Sequence, residues 1–421
     1  MRLKLNIDLK IGKETQSLNI EEDKLIGIVR QNSMGFKIDP GNEVKRSLEN
    51  PIGSKRLSQI VDKNKSVVII TSDITRPCPS KKIIPYIIDE LLEANVDPSN
   101  IKVVFALGSH RKHTEEEKIS LVGEKIYNMV ECIDSDDKNV VNMGYTANGT
   151  PVDIFTVVAN ADFRIGVGNI EYHYFAGYSG GAKAIMPGVS TFEAIQKNHS
   201  LMVDEMSKTG NCDDNPVRID IEESINYCNL DFIVNVVLNE DKEIIRCFSG
   251  HFIDAHREGC RFLDTVYKVP VKKKADIVIV SQGGYPKDIN LYQLQKALDN
   301  SKDIVNKNGI IILLGECIEG FGSTNFEKWL TGFGTPDEIL ININKDFQLG
   351  GHKAAAIAKI LLDNDIYLVS SMDELVVKKS FMKPFKNIQT AYNEAKKATN
   401  DGEVIIMPYG GSTLPYVLEE E

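Results

Sequence analysis

The chain repeats one pattern. A run of consecutive β-branched residues is followed by a polar or glycine-rich loop and then by apolar positions at helical spacing. Val67-Val-Ile-Ile70 is such a run, as expected of a strand buried on both faces. Lys81 to Ala94 puts Ile83, Ile84, Ile87, Ile88, Leu91 and Leu92 on one side of a helix, with Pro85 tolerated only in its first turn. Ile101 to Ala106 is the next strand, and Thr114-x-x-Glu117 is a capping box opening another helix. The alternation continues with strands over 162–168 and 231–238 and helices over 191–199 and 254–267. Ser190-x-x-Glu193 reads as a second capping box. Further strands are predicted at 275–280, 309–314, 366–370 and 403–407, and helices at 289–300, 351–362 and 389–399. Leu3 to Ile11 alternates apolar with polar residues, as an edge or hairpin strand does. Repeated strand–loop–helix units predict an α/β protein with mainly parallel sheets.

A length of 421 residues predicts two domains. Val269-Pro-Val-Lys-Lys-Lys274 is the expected linker. It divides the chain into 1–268 and 269–421, with the last residues able to pack back on the first domain. Lys plus Arg minus Asp plus Glu is 49 − 60 = −11, which argues against general nucleic-acid binding. It leaves room for a local basic pocket that grips an anionic substrate. The seven cysteines are scattered and contain no Cys-x-x-Cys, so neither a disulfide framework nor a zinc ribbon is expected. With no secretory leader pattern and no apolar run of about 18 residues, the cytoplasm is the expected location and no membrane partner is expected.

In α/β sheets ligands bind where loops leave the carboxyl ends of strands. Four such loops, after Ile70, Ala106, Gly168 and Val280, carry unusual chemistry. The first holds Asp73 and Arg76. The guanidinium matches a carboxylate in two hydrogen bonds, and the aspartate either orients it, binds a ribose hydroxyl, or forms a structural ion pair. The second holds His110, a general base or a loop histidine bonded to backbone, and His113, expected to be solvated. The third, Gly168 to Gly188, packs His173 and Lys183 among glycines and aromatics. It lacks the spacing of a phosphate loop, and a lysine in its apolar Ala182–Pro187 stretch is either a desolvated nucleophile or a snorkelling side chain. His199 ends the next helix, as a dipole partner or as a single metal ligand, because no second histidine or carboxylate stands at metal-site spacing. In the fourth segment Tyr292, Gln293 and Lys296 share one helix face, opposite Leu291, Leu294 and Leu298.

Taken together, Ser72-Asp-Ile-Thr-Arg-Pro77, Gly108-Ser-His-Arg111, Gly168-Asn-Ile-Glu-Tyr-His173, Gly177-Tyr-Ser-Gly-Gly-Ala-Lys-Ala184, Met186-Pro-Gly188, Gly283-Gly-Tyr-Pro-Lys-Asp288, Tyr292-Gln293 and Lys296 resemble the nickel-dependent lactate racemase family, in family order and across most of the chain. The resemblance implies two α/β domains with an active-site cleft between them. It implies a nickel pincer nucleotide, a pyridinium mononucleotide with two sulfur donors, attached covalently at Lys183. His199 is then the protein ligand to nickel. His110 and His173 are the acid/base pair, Arg76 and Lys296 hold the substrate carboxylate, and Asp73, Tyr292 and Gln293 contact or orient substrate and cofactor. The implied partners are a small 2-hydroxy acid and the proteins that synthesise the cofactor. Lactate is the first substrate expected, and malate, a longer hydroxy acid or an aldonate are the alternatives. Cys78, Tyr172 and Gly351-His352 are candidates for shaping the side-chain pocket. A non-catalytic hydroxy-acid or nucleotide-binding protein is the reading from another class. A conventional NAD dehydrogenase is disfavoured, because no Gly-x-Gly-x-x-Gly follows a strand.

Overall fold

The computed structural model describes residues 3–32, 38–108, 110–345, 347–348 and 350–418. The chain divides into two units, one of residues 34–264 and one of residues 1–33 with 265–421.

In the 34–264 unit, six strands form one sheet. Their order across it is Ile244–Gly250, Phe232–Leu238, Phe163–Asn169, Val67–Ser72, Ile101–Ala106 and Glu131–Asp134. Neighbours are parallel except at the antiparallel edge pair of Phe232–Leu238 with Ile244–Gly250. The strand order therefore reverses direction between Val67–Ser72 and Phe163–Asn169, a topological switch point. Both faces are covered, which explains the unbroken apolar strands. Ile69, Val103, Ile165 and Val234 pack on one side and Ile70, Val104 and Ile233 on the other.

The second unit holds a six-stranded sheet that is parallel throughout, in the order Lys383–Phe385, Asp365–Val369, Val305–Leu314, Ala275–Ser281, Val404–Met407 and Leu25–Ile28. The hairpin Lys4–Ile11 with Glu14–Glu21 buries Ile7, Leu9, Ile11, Leu18 and Ile20 against the Ile277, Ile279, Ile310 and Ile312 face.

The expected division at 268/269 is corrected in two respects. The first 33 residues belong with the C-terminal unit, because the hairpin's apolar row and the Leu25–Ile28 strand complete its sheet. The basic stretch after Lys268 is no free linker either: Lys268–Val271 pairs in parallel with Leu414–Val417. The Thr114 capping box forms as expected. The one at Ser190 does not. Thr191 caps the helix Phe192–Ser200 by accepting from the Ala194 N–H, while Ser190 donates its hydroxyl to the Ile185 carbonyl. Among the described residues no helix is long and apolar enough to cross a membrane, and all seven cysteines are unpaired.

Candidate active site

A cavity of about 170 Å³ opens at the switch point of the 34–264 unit. Its walls come from the loops after Ser72, Ala106 and Asn169, and they include Asp73, Arg76, His110, His173, Lys183 and His199. Three strand ends and one helix end thus bring together six of the nine residues expected to act. Ser109, within the second motif, lies outside the described residues.

His110 and Asp73 form a pair. The ring donates Nδ1–H to the Asp73 carboxylate at 2.6 Å, and Thr75 donates its hydroxyl to the same carboxylate at 3.0 Å. This leaves the lone pair on Nε2 of His110. Burial raises the Asp73 pKa, but the His110 hydrogen bond and charge outweigh it, so the group sits below its ordinary value. Serving His110 is a role that sequence reasoning did not single out for Asp73. Arg76 is exposed at the cavity's edge, where its charge lowers Asp73 further.

His113 is not solvated, contrary to expectation. Its ring is buried against Phe105, donates Nδ1–H to Asp134 at 2.6 Å and accepts the Ile74 N–H on Nε2 at 3.1 Å. It therefore anchors the loop that carries Asp73 and Arg76.

His173 lies on the short strand Tyr172–His173. Its Nδ1 accepts from the Ala176 N–H at 3.3 Å, which puts the ring proton on Nε2. The buried Phe175 ring makes edge contacts with His173 at 4.5 Å and with His199 at 4.8 Å, so one aromatic wedge sets both imidazoles. His199 donates Nδ1–H to the Asn198 carboxamide oxygen at 3.2 Å, making Nε2 the atom with the lone pair. That carboxamide cannot turn freely, because its NH2 is committed to Asp220 at 2.9 Å and to the Val217 carbonyl at 3.1 Å. Asp220 in turn accepts from Thr146, Asn148 and Thr150.

Lys183 sits on the 3-10 turn Gly181–Ala184. The residue keeps some exposure where it lines the cavity, yet its amine is surrounded by protein. Burial, then the charges of Arg218 and Arg76, drive its pKa well below the usual lysine value and favour the neutral, nucleophilic amine. The turn is held by Asn235, whose side-chain oxygen accepts the Gly181 N–H at 2.8 Å. Gly180 and Gly181 have φ of +77° and +60°, and a Cβ on Gly180 would meet that oxygen at 2.7 Å. Asn235 was missed. Its signal is present all the same: it is the polar interruption in the buried strand Phe232–Leu238.

The walls are not uniformly cationic, as the local-pocket argument expected. Asp73 and Glu171 stand with Arg76 and Lys183. Three further expectations are corrected here. The Cys78 thiol is buried in the core beside Ser80, with burial pushing its pKa up to about 12. The Tyr172 hydroxyl is held by Asp264 at 2.8 Å, and Tyr172 is absent from the cavity wall. In the other unit His352 is buried at the start of the helix Gly351–Leu361, accepting the Gly350 N–H, and burial lowers its pKa to about 3.

Tyr292, Gln293 and Lys296 also lie in that unit, on the helix Leu291–Ser301. They are its half-exposed positions, while Leu291, Leu294 and Leu298 are buried, as the spacing predicts. Lys353 lies 4.0 Å from the centre of the Tyr292 ring and donates to the Tyr292 carbonyl at 2.6 Å, which fixes the start of that helix.

The residues fit a thioamide-linked nickel nucleotide by their donor chemistry. One desolvated amine is available for acylation, one imidazole points its Nδ1–H at a fixed carboxamide, and glycines let backbone approach a ligand.

The chain is similar to known proteins along most of its length. The family model for the lactate racemase N-terminal domain matches residues 11–210, and that for the lactate racemase C-terminal domain matches residues 271–414. A lactate racemase of Thermoanaerobacterium thermosaccharolyticum is 34% identical over 97% of this chain and 99% of its own. One of Lactiplantibacillus plantarum is 33% identical over 96% and 98%. The solved lactate racemase apoprotein from T. thermosaccharolyticum superposes with a TM-score of 0.92 at 32% identity, covering 99% of this chain and all of that one (100%). A Thermotoga maritima protein at 17% identity shares the fold, with a TM-score of 0.66 over 91% of this chain and 100% of its own.

Proposed function

The chain belongs to the lactate racemase family, and from that premise we propose that it is an isomerase interconverting the enantiomers of a 2-hydroxy acid, with lactate the first substrate. The observation that carries this reading is the convergence of His110, His173, His199, Lys183 and Arg76 on one cavity at the switch point.

Racemisation needs chemistry on both faces of one carbon, and the C2–H of a hydroxy acid is too weak an acid for a histidine to remove near neutral pH. The nickel pincer nucleotide, when bound, supplies a hydride acceptor and donor at that carbon. Lys183 would hold it covalently and His199 would ligate its nickel through Nε2. The protein's own part is proton handling and positioning. His110 takes the hydroxyl proton of one enantiomer on Nε2, and Asp73 stabilises the imidazolium that forms. His173 presents its Nε2–H to the oxygen of the other enantiomer, as the acid of the pair, braced by Phe175. Arg76 offers the carboxylate a two-pronged partner. From the resemblance, Lys296 is a second carboxylate partner, and Tyr292 and Gln293 contact or orient substrate and cofactor. Cofactor-synthesis proteins are the partners this scheme requires. Seven unpaired cysteines support a cytoplasmic setting.

The test is chiral analysis of single enantiomers incubated with protein co-expressed with the cofactor-synthesis enzymes. Loss of enantiomeric purity from either lactate enantiomer is expected. Turnover confined to malate, a longer hydroxy acid or an aldonate would move the substrate but keep the chemistry. Binding of hydroxy acid without turnover, in protein whose mass shows full loading, would overturn the catalytic reading.

A further inference from the structure

Directly behind the lysine turn lies a second cluster that the scheme above does not use. Cys212 precedes the helix Pro216–Glu223, and Cys260 and His256 lie on the helix Asp254–Tyr267. Their ligand atoms all fall within 4.8 Å of one another, and all three residues are buried. His256 packs against Gly181, where a Cβ would meet its ring at 3.0 Å. The Gly210 N–H, two residues before Cys212, donates to the Gly177 carbonyl at 3.1 Å. The cluster thus braces the Gly177–Lys183 segment from behind.

A buried Cys-His-Cys set suggests a soft metal, but the imidazole is already committed. His256 donates Nε2–H to the Ser179 carbonyl at 2.7 Å and accepts from Arg257 on Nδ1 at 3.1 Å. Burial and the neighbouring Arg218 keep the ring neutral. Neither nitrogen is left for a cation, and two guanidiniums beside the site oppose one.

Those guanidiniums ask instead for an anion. Arg218 is fully buried, and its nitrogens go to the carbonyls of Ala176, Tyr178 and Gly180. Its carboxylate neighbour is Glu222, at 4.0 Å. Both oxygens of Glu222 are taken by Arg257 at 2.8 Å, and the other carboxylate on Arg257, Asp213, is largely exposed. Two cations therefore share one half-buried carboxylate. A thiolate at Cys212 would supply the missing charge. The Cys260 S–H bonded to Cys212, together with both arginines, lowers the Cys212 pKa, while burial and that same bond raise the Cys260 pKa. One thiolate facing one thiol is the arrangement from which a disulfide forms.

We propose that Cys212 and Cys260 are a redox-active pair that closes to a disulfide when the protein meets hydrogen peroxide. The Cys212 thiolate attacks one peroxide oxygen and the O–O bond breaks. Cys212 becomes a sulfenic acid, and the departing hydroxide takes a proton to leave as water. The Cys260 sulfur then attacks Sγ of Cys212, the S–O bond breaks, and the sulfenic hydroxyl leaves with the Cys260 proton as a second water. Peroxide is reduced and the two sulfurs are oxidised. Cys212 is the more accessible of the pair, 7% exposed against 4%, consistent with its being the residue that reacts first. The cross-link ties the segment before Pro216 to the Asp254–Tyr267 helix and removes the negative charge beside Arg218.

The experiment treats reduced full-length protein with a small molar excess of hydrogen peroxide, followed by intact mass and non-reducing peptide mapping. Expected is the loss of two hydrogens, a single cross-linked peptide pair containing Cys212 and Cys260, and reversal by dithiothreitol. Cys260→Ser is expected to stop at a Cys212 sulfenic acid captured by dimedone, and Cys212→Ser to leave Cys260 unmodified. Wild-type protein that forms no 212–260 cross-link overturns the proposal, whatever the variants do. So does stoichiometric zinc in the protein as isolated that Cys260→Ser no longer holds.

Discussion

Asp220 has no exposure, yet it accepts four side-chain hydrogen bonds, from Thr146 at 2.5 Å, Thr150 at 2.8 Å, Asn198 at 2.9 Å and Asn148 at 3.2 Å. Its removal tests the reasoning about His199, because Asp220 is what turns the Asn198 oxygen toward that ring. In Asp220→Ala the two threonine hydroxyls can rotate to other acceptors, and Asn198 keeps the Val217 carbonyl. The unavoidable loss is therefore one to two buried donors. At about 1–3 kcal/mol for each orphaned group, the expected destabilisation is about 1–6 kcal/mol. Asp220→Asn keeps the shape but sets an amide donor against the Asn198 or Asn148 donor, and its expected cost is about 1–3 kcal/mol.

Two assays read this. Urea unfolding followed by circular dichroism gives the magnitude, and peptide-level hydrogen exchange places the loss in residues 140–155 and 194–200. The Thr146→Val, Asp220→Ala double-mutant cycle is expected to return a coupling of about 0.5–3 kcal/mol. In loaded protein, nickel retention is expected to fall about 10–100-fold in Asp220→Ala, because the Asn198 oxygen is no longer held toward the His199 ring. An Asp220→Ala variant within about 0.5 kcal/mol of wild type, as an ordinary surface substitution would be, refutes the network as described.

Other perturbations probe the rest of the cavity. Lys183→Ala is expected to abolish the covalent adduct in intact-mass analysis of protein co-expressed with the cofactor-synthesis enzymes, and persistence of the adduct would unseat Lys183. His110→Ala and His173→Ala are each expected to cost about 10²–10⁴ in racemisation rate, read by chiral chromatography. Asp73→Asn tests linkage with a defined sign. The folded pKa lies below the ordinary aspartate value, so Asp73 stabilises the fold fully above that ordinary value and loses the contribution as pH falls through the folded pKa. Asp73→Asn should therefore be less stable than wild type at neutral pH, by about 1–2 kcal/mol, with the gap closing only in acid, as thermal scans across pH would register. Phe175→Leu, read by the same scans, is expected to cost about 1–2 kcal/mol through lost edge contacts to His173 and His199.

What could be read from the chain beforehand was local. The helix Asp254–Tyr267 matches its predicted bounds because its period, length and flanking loops all agree. The Leu291–Ser301 face that presents Tyr292, Gln293 and Lys296 follows from spacing alone. What stayed hidden depends on long-range pairing. The Lys4–Ile11 alternation reports a strand but not the sheet it covers, and that sheet is built from residues some 270 positions onward. His113 carried no mark of burial, because its partners Asp134 and Ile74 arrive from another strand and another loop. A phenylalanine between a histidine-bearing strand and a histidine-bearing helix end is likewise invisible until both are placed.

The switch point explains why chemistry so dispersed in sequence converges. Between Val67–Ser72 and Phe163–Asn169 the connections leave in opposite directions, so no crossover helix roofs the gap. Loops that need not pack against each other can meet there. The gap is also where a lysine can be surrounded by protein without being sealed in the core. Its depressed pKa needs desolvation, and the nearby Arg218 and Arg76 add to it, while Glu171 opposes them. An ion pair directly on Lys183 would have kept it charged and inert toward acylation. Placing the carboxylates instead on His110, through Asp73, and on the Asn198 carboxamide, through Asp220, holds the imidazoles in defined tautomers and leaves the amine uncompensated. On this argument a new carboxylate beside Lys183, as in Ala184→Glu, should suppress labelling of Lys183 by amine-reactive esters near neutral pH even where the fold survives. Labelling equal to wild type in such a folded variant would show that desolvation alone, without the surrounding cations, sets the reactivity of that amine.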